Sequence, residues 1–208
     1  AEHAVLCRTQ TCSPTSGFHH ATYDTAQSFC TFNGLMVTAV MLKEAGLVRS
    51  VGIIDCDAHY GNGTDEIIQR LGLRWVRHHT MGAEFHSRHD VQSMGAGQST
   101  FTRWLQRAIN DVQGCSLILY QAGADPHVDD PLGGILTTQE MALRDQIVFE
   151  GLRAKPLVWN LAGGYQTVGA IDGDGDEAQA ARLEPVLGLH RNTFATHLDV
   201  MSCARPAL

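Results

Sequence analysis

An α/β fold, with a parallel sheet flanked by helices, is what this chain predicts, and three observations carry the prediction. Four short apolar runs, at residues 51–55, 73–78, 116–121 and 156–161, are bounded by glycine, proline or polar residues and have the length of buried strands. Helix-like stretches alternate with them, at 29–45, 65–71, 100–112 and 139–152. Such alternation calls for right-handed crossovers and hence for parallel strands. Finally, residues able to carry chemistry stand directly after the strand runs, where open α/β sheets place their ligand crevice.

In chain order, residues 4–7 read as a fifth, weaker strand. Gly46 follows the first helix in the place of a C-terminal cap. Thr138 stands as an N-cap before the helix at 139–152. Asp172-Gly-Asp-Gly-Asp176 has the look of a calcium loop, but Glu177 stands at the sixth position instead of glycine. Leu183 stands at the twelfth instead of glutamate, so the segment reads as an exposed loop.

The 208 residues suffice for one domain with a real core. A hydrophobic share of 44% and a charged share of 18% fit an ordinary globular protein. The net charge of −7 and the absence of a basic block argue against a nucleic-acid partner. No apolar run approaches a membrane span, and the chain opens on Ala1 with no signal-peptide pattern. Six cysteines without a C-x-x-C pair point to a reducing, cytoplasmic setting. Only two of the fifteen basic side chains are lysine, which hints at a GC-rich bacterial genome. Nothing in the sequence fixes an oligomeric state.

The most informative stretch is Asp55-Cys-Asp-Ala-His59, directly after the run at 51–54. On extended backbone, alternate residues share a face, so Asp55, Asp57 and His59 point together. Two carboxylates and an imidazole crowded at a strand end need a cation or partners. Asp125, in Gln121-Ala-Gly-Ala-Asp125, emerges beyond another strand and can complete a set of two aspartates and one histidine. Zinc hydrolases use three such ligands and leave a position for water; Fe²⁺ and Co²⁺ suit the same donors. His19-His20 lies in a loop rich in proline, serine and glycine, and reads equally as a functional or a surface pair. His78-His79, by contrast, reads as structural. In Gly163-Gly-Tyr165, the glycines permit close backbone approach, and the tyrosine is either a plain core aromatic or a donor to a polarised oxygen.

Together these fragments resemble the histone deacetylase family, which includes the bacterial acetylpolyamine amidohydrolases. The resemblance rests on Gly17-Phe-His-His-Ala21, Phe29-Cys-Thr-Phe-Asn33, residues 55–64, Gly123-Ala-Asp125, Asp130-Pro-Leu-Gly133 and Gly163-Gly-Tyr165, in the family's order. It implies the arginase-like fold and zinc-dependent hydrolysis of an acyl amide on acetyl-lysine or an acetylated polyamine-like amine. By that resemblance Asp57, His59 and Asp125 hold the metal, and His19 and His20 manage protons. Asp55 orients His19, Asn62 orients His20 as in class II-like members, and Tyr165 donates to the oxyanion. Phe29 and Gly163 line the substrate channel. A potassium ion near Asp55 and Asp57 is also implied.

Some positions depart from the family pattern. Ser28 replaces the glycine before Phe29, and Tyr60 replaces a second histidine. The second channel aromatic has no clear counterpart, with Phe85 the nearest candidate. Only eighteen residues precede His19, so a single catalytic domain over 1–208 that is incomplete at its N-terminus is expected. That shortness motivates a second reading, a catalytically weak module binding acyl-lysine or another small ligand at the same site.

Overall fold

The computed structural model describes residues 1–91, 99–169 and 175–203. Five strands form one sheet: β1 (Gln10–Ser13), β2 (Val51–Asp55), β3 (Val76–Thr80), β4 (Leu117–Gly123) and β5 (Leu157–Ala162). Every pairing is parallel, in the order β1-β5-β4-β2-β3. The α/β prediction is therefore borne out.

Side chains alternate across the sheet as strand geometry requires. Ile53, Leu117, Leu119 and Val158 pack with α1 (Glu2–Cys7), α2 (Gly34–Glu44) and α3 (Asn62–Leu71). Ile54, Ile118, Tyr120 and Trp159 face the other way. They meet the short α4 (Arg88–Val91), α5 (Thr100–Val112), α6 (Thr138–Gly151) and α8 (Glu184–Ser202), the last preceded by α7 (Asp176–Arg182). Two hydrophobic layers thus clamp a sheet buried on both faces, and this is why its strands read as continuous apolar runs.

The central pair places the site. From β2 the chain leaves by α3 on one face toward β3, whereas from β4 it leaves by α6 on the other face toward β5. Connections diverging from neighbouring parallel strands open a crevice at their carboxyl ends, the topological switch point. Asp55 ends β2, and Asp125 lies two residues beyond β4.

Several expected boundaries move. Residues 4–7 are not a strand but lie in α1, which Arg8 ends in the left-handed conformation at φ 53°. The real edge strand, Gln10-Thr-Cys-Ser, is half-buried and lacks an apolar pattern. The helix expected over 29–45 begins only at Gly34, because Asn33 caps it by accepting from Met36 N, and Ser28 and Phe29 are left-handed. The strand expected over 73–78 starts at Val76, after Gly72 closes α3 and Leu73 turns. Thr137, not Thr138, caps α6, in a full capping box with Glu140. Gly46 does follow α2 with a positive φ of 71°. Most of the segment with the look of a calcium loop, residues 170–174, lies outside the described residues.

Candidate metal centre and active site

Asp57, His59 and Asp125 converge at the switch point. Each offers one ligand atom, and the three atoms lie within 4.8 Å of one another. Among the described residues this is the only such group of three or more. His59 Nδ1 lies 3.1 Å from Asp57 Oδ1 and 2.8 Å from Asp125 Oδ2. Both carboxylates are buried. Backbone amides hold them: Gly163 N–H donates to Asp57 Oδ2 at 3.0 Å, and Ala58 N–H to Asp125 Oδ1 at 3.2 Å. Gly163 is a steric necessity, since a Cβ there would stand 2.6–2.8 Å from the Asp125 and Asp57 carboxyl groups.

The donor set and its electrostatics suit a divalent cation. Burial and the neighbouring Asp57 charge push the Asp125 carboxyl well above the carboxylate range. Hydrogen bonds to Asp125 and Asp57 lift His59 to about 10. Asp125 and His59 thus favour their protonated forms, while Asp57 favours its ionised one. A divalent cation would replace those protons and satisfy two buried carboxylates and an imidazole at once.

The loop carrying His19 and His20 is fastened to α2 and α3. Asn33 Nδ2 donates to Ala21 O at 3.2 Å and to Thr64 Oγ1 at 3.0 Å, while Thr64 N–H donates to His19 O. A Cβ on Gly63 would collide with the His20 and Ala21 carbonyls, so only glycine lets α3 start here. The two imidazole centroids lie 4.1 Å apart, with the ring planes tilted by 50°. Their partners differ in charge. His19 Nδ1 lies 2.7 Å from Asp55 Oδ2, whereas His20 Nδ1 lies 2.6 Å from Asn62 Oδ1. Burial works to lower His19, but the Asp55 carboxylate prevails and raises it to about 9. Burial lowers His20, and its neutral amide partner does not restore it.

Tyr165 hangs over this cluster, its ring centroid 6.2 Å from His59 and 6.2 Å from Phe29. Burial pushes its hydroxyl pKa upward, so it stays a donor. A cavity of about 370 Å³ runs past Phe29, His19, His20, Asp57, Gly163 and Tyr165. Phe29 is 87% exposed at the mouth, and both it and Ser28 hold positive φ, 65° and 44°. Serine thus sits in a conformation that favours glycine.

All ten candidate residues come together. Others stand in the motifs quoted above but carried no role in the sequence reading. Gln121 donates to Asp55 Oδ1 at 2.9 Å, and its signal was a polar residue inside an otherwise apolar strand. Asp130 accepts from the Tyr165 backbone N–H at 2.7 Å and anchors that loop. Phe85 is not a channel wall. It is buried edge-on against Phe101 and Trp104, while the neighbouring His86 lines a second cavity beside His20 and His59. His78 is buried against Asp65 at 2.8 Å, and His79 pairs with Asp111 at the surface, both consistent with structural roles. Both oxygens of Asp55 accept hydrogen bonds, from Asp57 N–H, Gln121 and His19.

A parallel α/β sheet thus gathers two aspartates and one histidine at its switch point, with two further imidazoles and a tyrosine beside them, as the motif resemblance implies. Comparison agrees: residues 2–92 match the histone deacetylase domain. An uncharacterized protein of Picosynechococcus sp. is 26% identical over 176 residues, covering 79% of this chain and 57% of that protein. Histone deacetylase 6 of Caenorhabditis elegans is 28% identical over 172 residues, covering 71% of this chain and 18% of that protein. The crystal structure of acetylpolyamine aminohydrolase from Burkholderia pseudomallei shares the fold with a TM-score of 0.65 at 18% identity, over 96% of this chain and 60% of that one. Over residues 2–92 the chain is similar to the histone deacetylase domain, and it shares the fold of the acetylpolyamine aminohydrolase structure. It spans less than two thirds of the length of each of these relatives.

Proposed function

We propose that the chain carries the centre of a zinc-dependent deacetylase that hydrolyses an acyl amide on acetyl-lysine or an acetylated polyamine-like amine. The convergence of Asp57, His59 and Asp125 beside the His19–Asp55 and His20–Asn62 pairs carries this reading. Zinc, when bound by these three residues, would supply Lewis acidity to the amide carbonyl and acidify a water; Fe²⁺ or Co²⁺ would suit the same donors.

The residues divide the proton work. His20, neutral near pH 7 because burial depresses it, is fitted to accept a proton from the attacking water. His19, held protonated by Asp55, presents positive charge to the developing anion and a proton for the leaving amine. Its Nε2 faces the centre, 3.6 Å from Asp57 Oδ1. Tyr165 donates its hydroxyl to the oxyanion. Phe29 and Gly163 form the wall and floor along which an acyl-amine chain would lie. Six unpaired cysteines support a reducing, cytoplasmic setting. Among the described residues no helix is long and apolar enough to cross a membrane.

His20→Ala and Tyr165→Phe should each lower deacetylation of an acetyl-lysine substrate by about 10²-fold or more, with metal content and thermal stability retained. Unchanged rates would contradict these roles. Metal and ligand binding without turnover in the unaltered chain would favour the second reading, a module that binds acyl-lysine.

A further inference from the structure

Arg144 is 1% exposed, a full positive charge inside the layer between α6 and the sheet. Burying a guanidinium is costly unless its donors are used, and here Nε and Nη1 are bonded while Nη2 finds no partner among the described residues. Nε donates to Asp145 Oδ1 at 2.9 Å, and Asp145 also accepts from Thr193 on α8 and from the Tyr120 hydroxyl on β4. Nη1 reaches further, to Gly123 O at 2.7 Å and Cys56 O at 3.3 Å. These two carbonyls belong to neighbouring strand ends. Cys56 immediately precedes Asp57, and Gly123 stands two residues before Asp125.

The position of the carbonyls is the informative point. The β2–β4 ladder runs out here, its last rungs being the Asp55–Gln121 pair and the Cys56 N–H bond to Gln121 O. Beyond it the two chains stay side by side, but sheet hydrogen bonds no longer fix their separation. The guanidinium spans that gap from behind. The strand ends are also tightly apposed, since a Cβ on Gly123 would meet Asp125 Oδ1 at 2.7 Å and Cys56 O at 2.9 Å. A small shift of either end would therefore move a ligand-bearing residue.

We propose that Arg144 is a positioning residue for the metal centre, bridging Cys56 O and Gly123 O so that Asp57 and Asp125 stand at ligand separation. This rests on the reading of Asp57, His59 and Asp125 as ligands. A bland alternative is an ion pair that merely pins α6 to the sheet. The two differ in metal affinity at equal stability.

The test titrates Co²⁺ into the metal-stripped full chain, reading both affinity and the visible ligand-field spectrum. Arg144→Met should weaken Co²⁺ binding by about 10–100-fold, the range seen when supports of metal ligands are removed, and alter the spectrum. Arg144→Lys keeps the charge without the fork; it should fall between Arg144→Met and the parent chain, and it carries the test if the methionine variant does not fold. Phe149→Leu, in the same buried layer but bonded to neither carbonyl, should lower stability and leave Co²⁺ affinity unchanged. Arginine variants that bind Co²⁺ as Phe149→Leu does would overturn the proposal alone. If the parent chain and Asp57→Asn titrate identically, the metal reading falls and this inference falls with it.

Discussion

At the residue scale, the proposed chemistry turns on two adjacent imidazoles given unlike partners. Asp55 keeps His19 charged, while Asn62 leaves His20 to the effect of burial. His20 must be neutral to accept a proton, so activity should rise with pH through its depressed pKa. Asn62→Asp would place a carboxylate on Nδ1 and raise that pKa. The acid limb of the kcat/KM profile should then move to higher pH, while a limb that stays in place would take His20 out of the base role. The ten candidate residues were legible because each stands in a short motif at a strand end or in a glycine-rich loop. The contacts of Gln121, Asp130 and Arg144 were not, since each reaches backbone or a second side chain, and such pairing has no sequence spacing. Phe85, only the nearest candidate for a second channel aromatic, is core, because its two aromatic neighbours claim it.

At the scale of elements, local signals decided where helices begin. The α6 start is set by the Thr137–Glu140 box: Glu140 N–H donates to Thr137 Oγ1, and the Glu140 carboxylate accepts from Thr137 N–H. Thr137→Ala should cost about 1 kcal/mol in denaturant unfolding. A loss below a few tenths of that would mean that α6 is held by packing and Arg144 alone. The sequence placed the cap one residue late, at Thr138, where the box would need a partner at Met141. The edge strand β1 was missed for a different reason. Half-buried edge strands need no apolar alternation, and the apolar residues just upstream belong to a short helix. Helix α8 announces itself only by Pro185 in its first turn, against a weakly amphipathic pattern.

At the scale of the molecule, the sheet was the most legible feature, because strands buried on both faces must be apolar throughout. Strand order was not legible, since periodicity says nothing of neighbours. Yet order creates the site: β2 and β4 are sixty residues apart in the chain, and only their adjacency brings Asp125 to Asp57. The central claim is that this adjacency builds a hydrolytic metal centre. Its most direct test is hydrolysis of a fluorogenic acetyl-lysine amide by the purified chain, first stripped by chelator and then reloaded with Zn²⁺. Turnover should vanish on stripping and return with one Zn²⁺ per chain, and Asp57→Ala should bind no ion and stay inactive. Hydrolysis that persists in the stripped chain, or full activity in Asp57→Ala, would contradict the account.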